Sequence, residues 1–322
     1  MILSDVLASI LTVLLLVAAF VIGYFVLATR RIATDAERRV PPAGSFVTID
    51  GNRIHYVEAG QGRPILFLHG LGGQLLHFRS TLFADLSRDF RVIALDRPGS
   101  GYSTRVSGAT GRLPEQAALI DAFIATLGLE RPLVVGHSLG GTVALALALG
   151  HPAAISGLAR LAPMTHLPEH VPPEFKALHI VSPLRRWLLS QTVAVPMALK
   201  YAGQTLAFTF GPQSPSRDYM AAGGGLVGLR PSHVFATSTD LVGIDKDLGA
   251  LETRYETIAM PVGILFGTAD RVLDHRVHGL PLQDRISGLD LELLDGIGHM
   301  VQFSATERAA AFVRKMAARA FG

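Results

Sequence analysis

Two glycines flank a serine in Gly136-His137-Ser138-Leu139-Gly140, where the apolar run "LVV" stops and a helix-forming run "LGGTVALALALG" begins. A strand that turns this sharply into a helix forces its apex residue into a sparsely populated backbone conformation. The positions two before and two after the apex then pass close to neighbouring backbone, where a Cβ would clash. The result is a hydroxyl held clear of the sheet at a helix N-terminus, where free N–H groups can meet a developing oxyanion. That is the G-x-S-x-G nucleophile elbow, and the chemistry it serves is acyl transfer through serine. A glycine-rich turn with an incidental serine has the same spacing, so the motif needs partners.

Those partners stand at the ends of other apolar runs. "ILFLHG" leads into His69-Gly70-Leu71-Gly72-Gly73, "ILFGTAD" ends on Asp270, and "LELLDGIGH" ends on His299. Ser, Asp, His is the chain order of a nucleophile, an orienting acid and a base on an α/β sheet. Asp274 lies four residues beyond Asp270 and is a second candidate acid. Asp270 fits a Gly-x-x-Asp turn after Gly267 and is the preferred one.

The elements that must position these groups follow from patterning. "FVTIDGNRIHYVEAG" alternates apolar and polar residues around Asp50-Gly51-Asn52 and reads as a β-hairpin. "PILFLHG", "RVIALDRPG", "PLVVGHS", "ISGLARLAP" and "PVGILFGTAD" are continuous apolar runs, as expected for strands buried on both faces of a parallel sheet. Helical patterns such as "LPEQAALIDAFIATLG" separate them, which gives a doubly wound α/β sheet with its site at the carboxyl ends of the strands. Residues 164–244 break the alternation and read as an inserted cap of short helices. "ATERAAAFVRKMAARAFG" closes the chain as an amphipathic helix.

The N-terminus is of another kind. From Val6 to Ala28 there are 23 residues without a charge, about 35 Å of helix, enough to cross a bilayer core. No basic region precedes the run and no clear A-x-A site follows, which favours a retained anchor over residues 1–29 rather than a signal peptide. Arg30, Arg31, Arg38 and Arg39 follow it, so the positive-inside rule places the body on the cytoplasmic side. Residues 30–45, with Pro41-Pro42, read as a juxtamembrane linker. Residues 46–163 and 245–322 then make the two parts of the core.

Taken together, "HGLGG", "DRPGSGYS", "GHSLGG", "GTAD" and "GIGHMVQ" resemble the motifs of the α/β-hydrolase superfamily from about Phe46 to the C-terminus. With the anchor, the chain is similar to membrane-bound monoacylglycerol-lipase-like hydrolases. The resemblance implies a mostly parallel eight-stranded sheet flanked by helices, with an inserted helical cap. It also implies Ser138 as nucleophile, Asp270 and His299 as its partners, and the backbone N–H groups of Leu71 and Leu139 as oxyanion donors. Phe303, Ser304 and Ala305 stand where the family usually has an acidic residue and a proline.

Composition narrows the rest. The chain of 322 residues has no cysteine and a formal charge of +3, without a Lys/Arg tract interleaved with aromatics. Thiolate metal sites are excluded and nucleic acid is not an expected partner. His166 with His170, and His275 with His278, have helical spacing but no carboxylate signature, so no metal is expected. "GGGLVG" at 223–228 matches G-x-G-x-x-G without a preceding buried strand and reads as a flexible loop, so no cofactor is expected. His137 is expected to pack against the elbow, His69 to brace the oxyanion loop and Asp96 to fix its own loop. Phe175, Trp187, Leu188, Phe208 and Phe210 could shelter an acyl chain, although ordinary packing of the cap accounts for most of them.

A serine nucleophile points to a carboxylic ester hydrolase acting on a lipid-like, small-molecule acyl ester. Dehalogenases and most epoxide hydrolases of the same fold need an aspartate there. A cofactor-free C–C bond hydrolase or perhydrolase with the same triad is the enzymatic alternative, and a non-catalytic binding scaffold is the other class.

Overall fold

The computed structural model describes residues 2–167 and 173–322. One sheet holds β1 (Ser45–Ile49), β2 (Asn52–Ala59), β3 (Pro64–Leu68), β4 (Arg91–Leu95), β5 (Leu133–His137), β6 (Gly157–Leu161), β7 (Val262–Gly267) and β8 (Asp290–Leu294). Their order is β1-β2-β4-β3-β5-β6-β7-β8. β1 and β2 pair antiparallel, β2 joins β4 antiparallel, and every other pairing is parallel. The hairpin closes on Asp50 and Gly51, both at positive φ, as a two-residue turn matched to strand twist requires.

The helices that matter for the site are α1 (Ile2–Arg39), α2 (Leu113–Thr126), α3 (Leu139–Gly150), α4 (Pro183–Gln191), α5 (Ala194–Phe210), α6 (Pro231–Ile244) and α7 (Thr306–Phe321). Each central strand sends alternate residues to opposite layers. Leu66 and Leu68 pack toward α2 and α3, whereas Ile65 and Phe67 pack toward α7. Both faces are therefore covered, which is why these strands read as unbroken apolar runs. α4, α5 and α6 lie between β6 and β7 in the chain and form the cap.

Two expectations change. Residues 30–45 are not a free linker, because α1 continues to Arg39 and only 40–44 is irregular. Ala, Arg and Glu favour helix here, and Ala36 and Val40 are buried against Val195, Leu226, Val227 and Leu229 of the cap. Tyr102 donates to the Val40 carbonyl, and Pro41-Pro42 ends the helix. The "GGGLVG" segment is likewise not a loose loop. Gly224 turns at positive φ into a 3-10 turn, Gly225–Leu229, whose apolar side chains receive α1.

A buried ion pair ties the cap to the sheet. Arg97, just past β4, meets Asp240 of α6 at 2.7 Å, and both side chains are almost wholly buried. Arg97 also donates to the carbonyls of His69 (2.9 Å) and Gly70 (3.1 Å), and Arg105 joins Asp240 from the other side. Removing one member strands a buried charge, which typically costs about 3–5 kcal/mol. Asp240→Ala is therefore expected to lower the thermal midpoint in detergent by several degrees, roughly 2–4 °C per kcal/mol in a domain of this size. An unchanged midpoint would show that the pair carries no stability.

Candidate active site

Ser138 sits at φ 50°, ψ −121° between β5 and α3. The flanking glycines answer to space: a Cβ on Gly140 would lie 2.1 Å from the Leu68 carbonyl, and one on Gly136 would lie 2.5 Å from the Gly140 carbonyl. The turn is pinned by the Ser138 N–H donating to the Leu161 carbonyl of β6 at 3.0 Å and by the Gly141 N–H donating to the Ser138 carbonyl at 2.9 Å. The hydroxyl is half-buried and has no hydrogen-bond partner among the described residues.

The acid and base follow β7 and β8, and the His299 ring lies 4.8 Å from the ring of His137, the residue before Ser138. His299 Nδ1 lies 2.7 Å from Asp270 Oδ2, with side-chain exposures of 5% and 0%. Asp270 Oδ1 also accepts from the N–H groups of Val272 (2.7 Å) and Leu273 (3.0 Å). These bonds fix the carboxylate, which in turn fixes the imidazole and leaves its Nε2 as the free ring nitrogen. Asp274 is elsewhere: its carboxylate is half-exposed and caps the turn His275–His278 by accepting from Arg276 N–H at 2.8 Å. The second candidate acid is thus removed by geometry.

The oxyanion loop lies against the elbow. A Cβ on Gly70 would sit 3.0 Å from Ser138 Cβ. Among the described residues the N–H groups of Leu71 and Leu139 have no acceptor. Backbone N–H groups without acceptors are the donors a tetrahedral intermediate needs. His69 braces the loop as expected, with Nδ1 against the Gly70 carbonyl at 2.8 Å and Nε2 accepting from Arg97 N–H at 2.8 Å. Asp96 does more than hold its own loop, since it accepts from Leu75 N–H and Tyr102 N–H and pairs with buried His55 at 2.7 Å.

Some supporting residues carry no motif. Cap residue Gln213 accepts from Gly298 N–H at 2.9 Å and so grips the loop that carries His299. A Cβ on Gly298 would lie 2.2 Å from the Gly211 carbonyl at the end of α5. Phe303 packs on Phe210 and Tyr219 at ring distances of 5.6 and 5.3 Å. Phe210 therefore serves cap-to-core packing, and Trp187 and Leu188 are exposed on the outer cap rather than turned inward. Phe175 and Phe208 meet edge-on.

His170 lies outside the described residues. His166 and His278 neighbour one another, and His278 Nδ1 accepts from Thr165 N–H. Among the described residues no three His, Asp or Glu side chains converge as a metal site requires. A cavity of about 510 Å³ between the end of α1 and the core, lined by Val40, His55, Tyr102 and Val227, contains none of the triad residues. Chemistry rather than volume locates this site.

Four histidines around these loops are held neutral. Burial, then the neighbouring charge of Arg97, pushes His69 well below its ordinary value, and burial followed by His299 does the same to His137. Burial lowers His77 and His278 to about 4. Such groups bind protons in the unfolded chain before the folded one, so the stability they confer is complete above about pH 6.5 and is lost as pH falls toward 4. Each histidine charged only when unfolded adds a slope of about 1.4 kcal/mol per pH unit, and a thermal midpoint that stays flat from pH 6.5 to 4 would contradict this. For catalysis, Asp270→Asn is expected to lower kcat by roughly four orders of magnitude. Asp274→Asn should cost less than about tenfold, measured on the same ester; equal losses would reassign the acid.

Comparison with known proteins agrees with this fold. The family model described as alpha/beta hydrolase fold matches residues 63–306. The uncharacterized protein Rv2715 of Mycobacterium tuberculosis is 30% identical over 264 residues, covering 80% of this chain and 76% of that one. The dihydrolipoyllysine-residue acetyltransferase component of the acetoin cleaving system of Cupriavidus necator is 37% identical over 143 residues, 44% of this chain and 37% of that protein's length. A 2-hydroxy-6-oxononadienedioate/2-hydroxy-6-oxononatrienedioate hydrolase of Paraburkholderia phymatum is 25% identical over 261 residues, covering 80% and 88%. Among solved structures, a membrane phospholipase A described as a bacterial virulence factor superposes with a TM-score of 0.65 at 24% identity, over 97% of this chain and 99% of that one. A strained serine elbow, an Asp–His pair on the following strands and a family match over most of the sequence lead to one statement: this chain belongs to the alpha/beta hydrolase fold family.

Proposed function

We propose that this hydrolase is a membrane-anchored serine esterase that cleaves lipid-like carboxylic esters through an acyl-enzyme. The observation that carries the reading is Ser138 at the strained elbow, with a buried His299–Asp270 pair at 2.7 Å whose imidazole lies beside His137, the residue before Ser138 in the chain. Ser138 Oγ attacks the ester carbonyl as His299 Nε2 takes its proton, and Asp270 holds the imidazolium. The N–H groups of Leu71 and Leu139 receive the oxyanion, each worth about 3–4 kcal/mol in such sites. Collapse expels the alcohol with the proton from His299. Water, activated by the same base, then attacks the acyl carbon and releases the acid and free Ser138. A hydroxyl nucleophile does not fit the alkyl-ester route of dehalogenases, which needs a carboxylate.

The apolar stretch of α1 supports an anchor, and it is fully lipid-compatible: none of its most apolar window is buried in the protein. The arginines that follow support a body on the cytoplasmic side. The overall shape shared with a membrane phospholipase A is consistent with a lipid substrate. The match to a C–C bond hydrolase over most of the chain favours one second reading, in which the same triad acts on a vinylogous diketone. Parallel assays of a monoacylglycerol and such a diketone separate the two.

Ser138→Ala is expected to reduce ester turnover by roughly six orders of magnitude and to abolish fluorophosphonate labelling, with an unchanged thermal midpoint. Labelling that persists in this variant would reject the serine mechanism.

A further inference from the structure

We propose that the outer face of the cap is itself seated in the bilayer, at the headgroup/acyl boundary beside α1. The body would then rest on the membrane through α4 and the start of α5 as well as hang from its anchor. The inference depends on α1 being a membrane span, as argued above.

The first observation is one of height. The apolar run ends at Ala28, yet Phe25, Val26 and Ala28 are already half-buried and Thr29 is fully buried. Thr29 donates its hydroxyl to the carbonyl of Thr192, in the junction between α4 and α5. Phe25 stands three residues, or about 4.5 Å, inside the end of the run. If the run fills the hydrocarbon, the cap elements that cover these residues lie at the same depth.

The second observation is that α4 is inside out. Arg186 points inward, where it donates to Thr239 Oγ1 at 2.8 Å and Ser238 Oγ at 3.1 Å. Outward stand Leu184 (66% exposed), Trp187 (52%) and Leu188 (47%), with Val181 (67%) just before and Met197 and Leu199 following on α5. A helix facing water would reverse this arrangement. Exposed apolar side chains concentrated on one pair of helices mark a contact surface.

The third is charge. From Phe175 to Arg217 there is no Asp or Glu, whereas Arg185 and Lys200 lie exposed among the apolar residues. Apolar side chains, a tryptophan and cations without anions match a lipid surface that carries anionic headgroups. A second copy of this cap face would bring like charges together.

Trp187 is the chain's only tryptophan, so its emission reports this face directly. The full-length protein is reconstituted in phosphatidylcholine/phosphatidylglycerol vesicles, and Trp187 is challenged with acyl-brominated lipid and, separately, with aqueous iodide. An interfacial ring sits about 5–10 Å into the boundary, so brominated lipid should remove about half or more of the emission. Iodide should have little effect, and Ser138→Ala should behave identically because no catalysis is involved. The L184E/L188E variant should lose lipid quenching and gain iodide quenching while still resisting alkaline extraction. If the wild-type protein resists alkaline extraction but Trp187 responds only to iodide, the cap faces water and the proposal fails with the anchor intact. If neither quencher acts, another protein surface covers the face, a second copy included, and the proposal also fails. Release by alkaline extraction would overturn both the span and the seated cap, without touching the serine mechanism.

Discussion

The close approach of β5, β3 and the start of α3 at Ser138 is the constraint on which the rest of the structure depends. Gly136, Gly140 and Gly141 let backbone pass where a side chain would stand within 3 Å of a neighbour. That crowding holds Ser138 at positive φ, a conformation costing on the order of 1–3 kcal/mol that persists only when the surroundings over-determine it. Apolar strands buried on both faces supply the over-determination. They also bring the β3 end with Leu71, the β7 end with Asp270 and the loop after β8 with His299 to one edge of the sheet. The fold and the site are consequences of one packing arrangement.

The cap is bound into that arrangement rather than laid over it. Arg97 grips the carbonyls on the oxyanion loop and Asp240 of α6 at once, so cap position and loop geometry are linked through one buried guanidinium. Gln213 and Gly211 do the same for the His299 loop. α1 in turn packs on the cap through Ala36 and Val40. α1, the cap and the loops that carry the candidate site therefore form a mechanically continuous chain.

Much of this was legible from residue order alone. The candidate serine, acid and base could be singled out because each follows a strand-like run, and the ends of parallel strands converge on one side of the sheet. The preference for Asp270 over Asp274 rests in the sequence on the Gly-x-x-Asp spacing alone, and in the structure the direction of the turn sends only Asp270 to His299. The extent of α1 is not legible: Arg30 to Arg39 is charged enough to read as a linker, and its helix is held by Ile32, Ala36 and the following Val40 packing against a distant segment and by Glu37 pairing with Arg230. "GGGLVG" was misread for the same reason, since the partner of Leu226 and Val227 lies nearly two hundred positions away. The Arg97–Asp240 pair left no trace, because two charges far apart in sequence have no period. Trp187 and Leu188 were expected to turn inward because apolar residues in a cap usually do. Arg186, facing inward beside them, reversed that expectation.

The central claim is that Ser138 carries the acyl group during turnover. The direct measurement is acid quenching during hydrolysis of a long-chain nitrophenyl ester, followed by peptide mass spectrometry. The account predicts the mass of the acyl group on the peptide containing Ser138, with a pre-steady-state burst of nitrophenol matching the fraction acylated. Turnover with no adduct on Ser138, or an adduct on another residue, would contradict it.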